Sequence, residues 1–294
     1  MAAHKKQHYL PASYLKFFSD DQSNCDRKTS RIWRFDGDKL LRVPVDSQCF
    51  GDYFYSKKSP SETEKIFQSR EVIYCNFVDE IRAGKEPSRN AFGDLFLCMV
   101  DLQLRNGIHK NNTGKEGIEA YDMRLGMFFY QMLLRKPDAD SLIPAVKLHL
   151  HHHWRMEIIQ SPSTVKFATS DNPSLFTSLV SHSPNRNSPL QMIFLPLDPN
   201  NVAVAFDKRF MWITPGQATE NDARTLNHNQ IQNAENCIFS SHSILSSDLQ
   251  KVHDVFATKP KAISEIDMSG WRSFKQYLPP EHYFSFMKIK PSVL

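Results

Sequence analysis

Gln191-Met-Ile-Phe-Leu195, then Pro196-Leu-Asp-Pro-Asn-Asn201, then Val202-Ala-Val-Ala-Phe206 is the stretch that decides the fold. Two short apolar runs flank a separator dense in Pro, Asp and Asn. That is the composition of two strands joined by a turn. Upstream, Trp154-Arg-Met-Glu-Ile-Ile159 and Val165-Lys-Phe-Ala-Thr169 alternate in the same way, and the second runs into Ser170-Asp171-Asn172-Pro173. A polar Ser/Asn/Pro loop is expected over 179–189. Downstream, a helix over about 219–235 puts Ala223, Asn227, Gln230 and Ala234 on one face. Cys237-Ile-Phe-Ser240 reads as a last core strand, and the Pro-punctuated C-terminal stretch as less regular.

The N-terminal third differs. Arg31–Asp36 and Leu40–Val45 are two short strands joined by Asp36-Gly37-Asp38. A helical block follows over about 61–137. Residues 62–83 bring Ile66, Ile73, Phe77 and Ile81 within about 60° of one another at helical spacing, with Glu64 and Glu71 off that stripe. Ser61 stands three residues before Glu64, a capping-box spacing. Residues 90–106 are apolar nearly all round, as in a buried helix, with Gln103 on the face of Phe92, Phe96 and Met99. Asp101 and Arg105 form an i,i+4 pair on its other side. A third helix is expected over about 116–135, ended by Pro137. A helical middle between strand-rich segments predicts α+β rather than alternating α/β. The expected architecture is one domain over 1–294: an N-terminal β-hairpin, a central helical block, and a mostly antiparallel sheet with a covering helix.

Composition narrows the chemistry. With 40% hydrophobic and 23% charged residues the 294-residue chain is an ordinary core-forming sequence. Its 10 Gly leave little for a phosphate-cradling loop, and no nucleotide-cofactor motif is present. The five cysteines are scattered, odd in number and without a C-x-x-C pair, so neither a disulfide framework nor a zinc ribbon is indicated. The N-terminus lacks the apolar stretch of a signal peptide, and no run approaches the length of a membrane span. A reducing, cytoplasmic setting without membrane contact is expected. The net charge of +4 permits nucleic-acid binding without demanding it.

Two polar features stand out. Lys5-Lys6-Gln7-His8-Tyr9-Leu10-Pro11 places two ammonium groups beside a histidine, the side chain best suited to proton transfer near neutrality. The same residues would equally tie down a chain terminus. Ser170-Asp171-Asn172-Pro173 ends a strand, where polar site residues are common, and would equally form an Asx-turn. Gln103, Asn227 and Gln230 are amides on apolar faces that must find partners. His149, His151 and His153 would share one face of a strand, but no carboxylate or cysteine stands at ligand spacing.

Gln7-His8-Tyr9-x-Pro11-x-x-Tyr14-Leu15-x-x-Phe18 resembles the start of a broad, mainly bacterial family, domain of unknown function number 4238. The resemblance continues through Glu71, the Asp101–Arg105 helix end, Phe167–Pro173, Phe194–Pro199 and the Asn227–Ala234 helix. It implies a shared fold and a recurring polar set: His8, Tyr9, Glu71, Gln103, Arg105, Asp171, Asn172 and Asn227, converging on one pocket. The expected activity is a phosphodiester hydrolase, an RNase or DNase serving as a bacterial toxin or phage-defence effector. His8 would be its acid or base, with Glu71 and Asp171 as partners or as ligands of a divalent metal ion. Lys5, Lys6 and Arg105 would meet phosphate charge, and Gln7, Tyr9, Gln103, Ser170, Asn172 and Asn227 would bind substrate. The alternative is a non-catalytic module binding nucleic acid, a nucleotide or a protein partner.

Overall fold

The computed structural model describes residues 6–21, 26, 28–52, 54–55, 60–86, 88–105, 150, 152–179, 190–242, 274–276 and 284–290. Within these lie fourteen strands: β1 (Lys6–His8), β2 (Arg31–Phe35), β3 (Leu40–Pro44), β4 (Phe50–Asp52), β5 (Trp154–Gln160), β6 (Thr169–Ser170), β7 (Leu175–Leu179), β8 (Leu190–Asp198), β9 (Asn201–Asp207), β10 (Met211–Ile213), β11 (Gly216–Gln217), β12 (Ile238–Ser240), β13 (Phe274–Gln276) and β14 (Met287–Ile289). The helices are α1 (Ala12–Lys16), α2 (Pro60–Arg82), α3 (Arg89–Leu104) and α4 (Glu220–Asn233). The fold is α+β. The expected third helix at 116–135 and the loop at 180–189 lie outside the described residues, as does the helical block beyond Arg105.

A six-stranded sheet ordered β11-β5-β9-β8-β7-β13 is the frame, antiparallel from β5 through β7 and parallel at both edges. Strand alternation sends Ile193, Leu195, Ala203 and Ala205 to a core shared with α1, α2 and α3. Met192, Phe194, Val202, Val204 and Phe206 go to a second core covered by α4, β10 and β14. A four-stranded antiparallel sheet, β3-β2-β12-β6, adjoins it. The β2–β3 hairpin turns at Gly37, whose φ of 96° suits the residue without a Cβ.

The separator in the opening stretch is shorter than expected. β8 runs on through Pro196-Leu197-Asp198 with a bulge, leaving only Pro199-Asn200 as the turn. Pro196 is tolerated because β7 stops pairing at Leu175↔Phe194, so this end of β8 is an edge. Side chains use that edge: the Tyr14 hydroxyl donates to Pro196 O at 2.9 Å and the Tyr74 hydroxyl to Leu197 O at 3.1 Å. Val165–Thr169 is strand only at its end. Its backbone is met by the Asn227 amide, which accepts from Ala168 N at 2.8 Å and donates to Lys166 O at 2.9 Å. The side chain of α4 stands in for a neighbouring strand.

Three further differences have physical causes. The buried stripe of α2 is Phe67, Tyr74, Phe77 and Val78, while Ile73 is 39% exposed. The helix is turned so that Glu71 meets a buried cation. Ser61 lies inside the first turn of α2 after Pro60, so it is not an N-cap. The C-terminal stretch, expected to be irregular, supplies β13 and β14, which complete sheets begun elsewhere. Cys237–Ser240 is the expected strand, and Thr219 and Asp222 form a capping box at the start of α4.

Asp198 locks the opening stretch to the helices. Buried to 1% exposure, it accepts from Asn200 N at 2.7 Å and Asn201 N at 2.9 Å and pairs with Arg82 at 3.0 Å. Asp198→Ala should lower unfolding free energy in urea by about 2–3 kcal/mol, and Asp198→Asn by less, because the amide keeps one acceptor oxygen. Equal stability of the alanine variant would remove Asp198 as the clamp.

Candidate functional site

The N-terminal segment is held by backbone pairing. β1 lies antiparallel to β4, with Gln7 opposite Gly51 and His8 opposite Phe50. Opposed residues share a face, so Gln7 turns inward and is fully buried while Lys6, His8 and Phe50 face outward. Gln7 Oε1 accepts from Tyr55 N at 2.7 Å. Pro11 then opens α1, whose Tyr14 and Leu15 are buried.

Beneath β1 sits Arg105, a guanidinium with 1% exposure. Its Nη1 and Nη2 donate to Glu71 Oε1 at 3.2 Å each, and Nη2 also donates to His8 O at 3.0 Å. Nε donates to the Tyr55 hydroxyl at 3.2 Å, Asp101 Oδ2 lies 3.5 Å from Nη1, and the Phe67 ring is 4.1 Å away. Burial opposes the charge on Arg105, but Tyr55, Asp101 and Glu71 outweigh it and hold its pKa above the ordinary value. Asp101 is pushed up by burial, against the pull of Arg105 and Arg70. Arg70 pairs with Asp101 at 2.8 Å, so two arginines face two carboxylates. The Ser13 hydroxyl donates to Glu71 Oε2 at 3.1 Å.

Arg105, Glu71, Asp101, Arg70 and Ser13 line a half-open cleft with Pro11, Tyr14, Tyr74, Cys98 and Leu102. Its inner part has room for about one water molecule. His8 is held below its ordinary pKa, chiefly by burial. The carbonyl and carboxylate of Asp46 and the charge of Glu71 oppose that shift, and Arg105 adds to it. The balance favours the neutral imidazole, whose Nε2 lies 3.4 Å from Asp46 O.

Glu71, Arg105 and the His8 backbone therefore come together, while the His8 ring meets Asp46 O at 3.4 Å and Gln7 bonds Tyr55. The Ser170–Pro173 turn forms a separate network. Asp171 accepts from Glu235 N at 2.7 Å and from Asn236 N at 2.8 Å and Nδ2 at 3.1 Å, so both its oxygens hold the chain leaving α4. Ser170 donates to Gln230 Oε1 at 2.9 Å, and Asn172 bonds Asn233 at 3.2 Å. Asn227 serves the backbone described above. Tyr9 stands between the two groups: its ring packs on Phe54 at 5.0 Å, and its hydroxyl bonds the Cys49 thiol near Asp171. Lys6 lies over Phe50 at 4.6 Å. Lys5 lies outside the described residues. Gln103 is fully buried with neither amide atom hydrogen-bonded among the described residues.

Sequence reasoning missed Arg70, Asp101 and Ser13 as cleft residues. The i,i+4 spacing of Asp101 and Arg105 was the available signal. His152 and His153 are helical ahead of β5, which rules out the expected strand there; His149 and His151 lie outside the described residues. Among the described residues no group of three or more His, Cys, Asp or Glu is arranged to hold a metal ion, and no helix is long and apolar enough to cross a membrane.

A family model described as protein of unknown function, DUF4238, matches residues 6–243, and the chain belongs to that family. No curated protein and no solved structure matches.

The lowered pKa of His8 sets a pH dependence. Between the folded value and the ordinary 6.5 the unfolded chain binds the extra proton, so stability rises with pH through that window and is lost on acidification. Urea midpoints either side of 6.5 should differ more for wild type than for His8→Gln. Identical pH dependence in the two proteins would contradict the burial of a neutral His8.

Proposed function

We propose that this DUF4238 member is a phosphodiester hydrolase acting on RNA or DNA, in the setting of a bacterial toxin or phage-defence effector. The observation that carries the reading is the Arg105 guanidinium at the end of α3, which bonds both the Glu71 carboxylate of α2 and the His8 backbone carbonyl and so fixes β1, whose half-buried imidazole has a lowered pKa, beside a charged cleft. A neutral imidazole accepts a proton from the attacking hydroxyl or water and returns one to the leaving oxygen. The Glu71 carboxylate favours the imidazolium that forms between those events. Arg105 and Arg70 are already matched to Glu71 and Asp101, so added phosphate charge falls to the exposed Lys6 of β1, two residues from His8. Asp171, with both oxygens committed, acts in this scheme only through the fold.

A second reading, a non-catalytic module for nucleic acid, a nucleotide or a protein, draws on the charge balance of the cleft and its small interior. The two separate on turnover. Purified protein incubated with labelled RNA and DNA, with and without Mg²⁺ or Mn²⁺, should cleave at least one substrate, and His8→Ala should lose at least about a hundredfold in rate while remaining folded. Asp171→Asn should retain activity in proportion to its folded fraction. Toxicity on expression in a bacterial host, relieved by His8→Ala, is the matching cellular readout. Saturable, salt-dependent binding with intact substrate would overturn the hydrolase in favour of the module.

A further inference from the structure

On the β10–β14 ribbon, away from the cleft, Met211 and Ile213 enter the second core and Trp212 faces outward with 44% of its surface exposed. Lys288 stands directly opposite Trp212 in the antiparallel register, hence on the same face. Lys290 follows two residues on, its N–H donating to Phe210 O at 3.0 Å, and is also exposed. From the neighbouring sheet the Arg155 guanidinium lies 5.3 Å from the Trp212 ring. Lys208 is fixed to the start of β5 through its N–H to His153 O at 2.8 Å. Arg209 is matched to Asp207 at the edge of this region, and Glu157 is the other carboxylate near Arg155. Among the described residues, Arg155, Lys288 and Lys290 thus gather around Trp212 against the single carboxylate of Glu157. His153 registers that field: it is held below its ordinary value by burial first and then by Arg209, with Asp207 opposing and His152 and Lys208 adding.

The geometry points to this face as a binding surface for single-stranded nucleic acid, with one base stacked on Trp212 and the flanking phosphates met by Arg155, Lys288 and Lys290. An exposed indole ringed by cations matches a polyanion whose bases present bare π-faces, whereas a duplex hides those faces in its own stack. A protein partner would call for apolar neighbours around the ring, and the described neighbours here are Lys and Arg. As a surface for holding substrate it rests on the nucleic-acid reading above. As a binding site it is separable from His8 and the cleft.

The test uses the full chain carrying His8→Ala, which prevents turnover, with labelled oligo-dT and oligo-rU followed by fluorescence anisotropy. Trp212→Ala should weaken binding about tenfold, with Trp212→Phe retaining most of the affinity. Lys288→Gln with Lys290→Gln should flatten the dependence of binding on salt. A duplex of the same length should bind more weakly and be indifferent to Trp212. The surface is at the exterior, so unchanged melting of each variant checks the fold. Equal affinity of wild type and Trp212→Ala for single strands overturns the proposal, as does equal Trp212-dependent binding to phosphatidylserine vesicles. Cleavage by the wild type alongside Trp212-independent binding defeats this proposal alone. Trp212-dependent binding without cleavage defeats only the hydrolase.

Discussion

A buried guanidinium needs an answer from every side, and Arg105 receives one from four segments of the N-terminal half. Glu71 comes from α2, Asp101 from α3, the His8 carbonyl from β1, and the Tyr55 hydroxyl from the segment after β4. Leaving such a charge unpaired would cost about 3–5 kcal/mol. The register of β1, the rotation of α2 and the end of α3 are therefore coupled to one another. The outward rotation of Ile73 and the inward turn of Glu71 are two consequences of the same pairing. So is the placement of His8, whose backbone is grasped by Arg105 while its ring lies beside Phe50 and the Asp46 carbonyl.

The polar residues outside this centre do a different kind of work. Asn227, Gln230 and Asn233 recur along one side of α4, and each hydrogen-bonds the 166–174 segment: Asn227 to Lys166 and Ala168, Gln230 to Ser170 and Pro173, Asn233 to Asn172 and Ser174. Asp171 then fixes the chain that leaves α4. In this way α4 is locked onto a stretch of backbone that strand pairing meets only at Thr169–Ser170. A buried amide must be satisfied, and here the backbone satisfies it. Gln103 is the exception, with no such partner among the described residues.

How much was legible follows from the range of each signal. Alternation and helical period are local, and they located β2, β3, β5, β9, α3 and α4 to within a few residues. The extension of β8 through Pro196 depended on where β7 stops, which no local pattern records. β14 became a strand because β10 offered it an edge. Within the site, the family resemblance grouped Glu71 and Arg105 with His8; Arg105 bonds Glu71 and the His8 backbone carbonyl. Asp171 was grouped with them on the same grounds, yet its oxygens are spent on Glu235 and Asn236. Residue type announces a carboxylate but not its hydrogen-bond partners. Arg155, Trp212 and Lys288 are scattered so widely along the chain that only the sheets assemble them.

The central claim is that burial, with Arg105 adding to it, lowers the pKa of His8 against the opposing charges of Asp46 and Glu71. The most direct measurement is the NMR titration of the His8 imidazole in wild type and in Glu71→Gln, with the resonance assigned by its disappearance in His8→Gln. Wild type should titrate below the ordinary 6.5, and Glu71→Gln lower still, because the carboxylate that favours the imidazolium is gone while Arg105 remains. A wild-type value at or above 6.5, or a value untouched by Glu71→Gln, would contradict it.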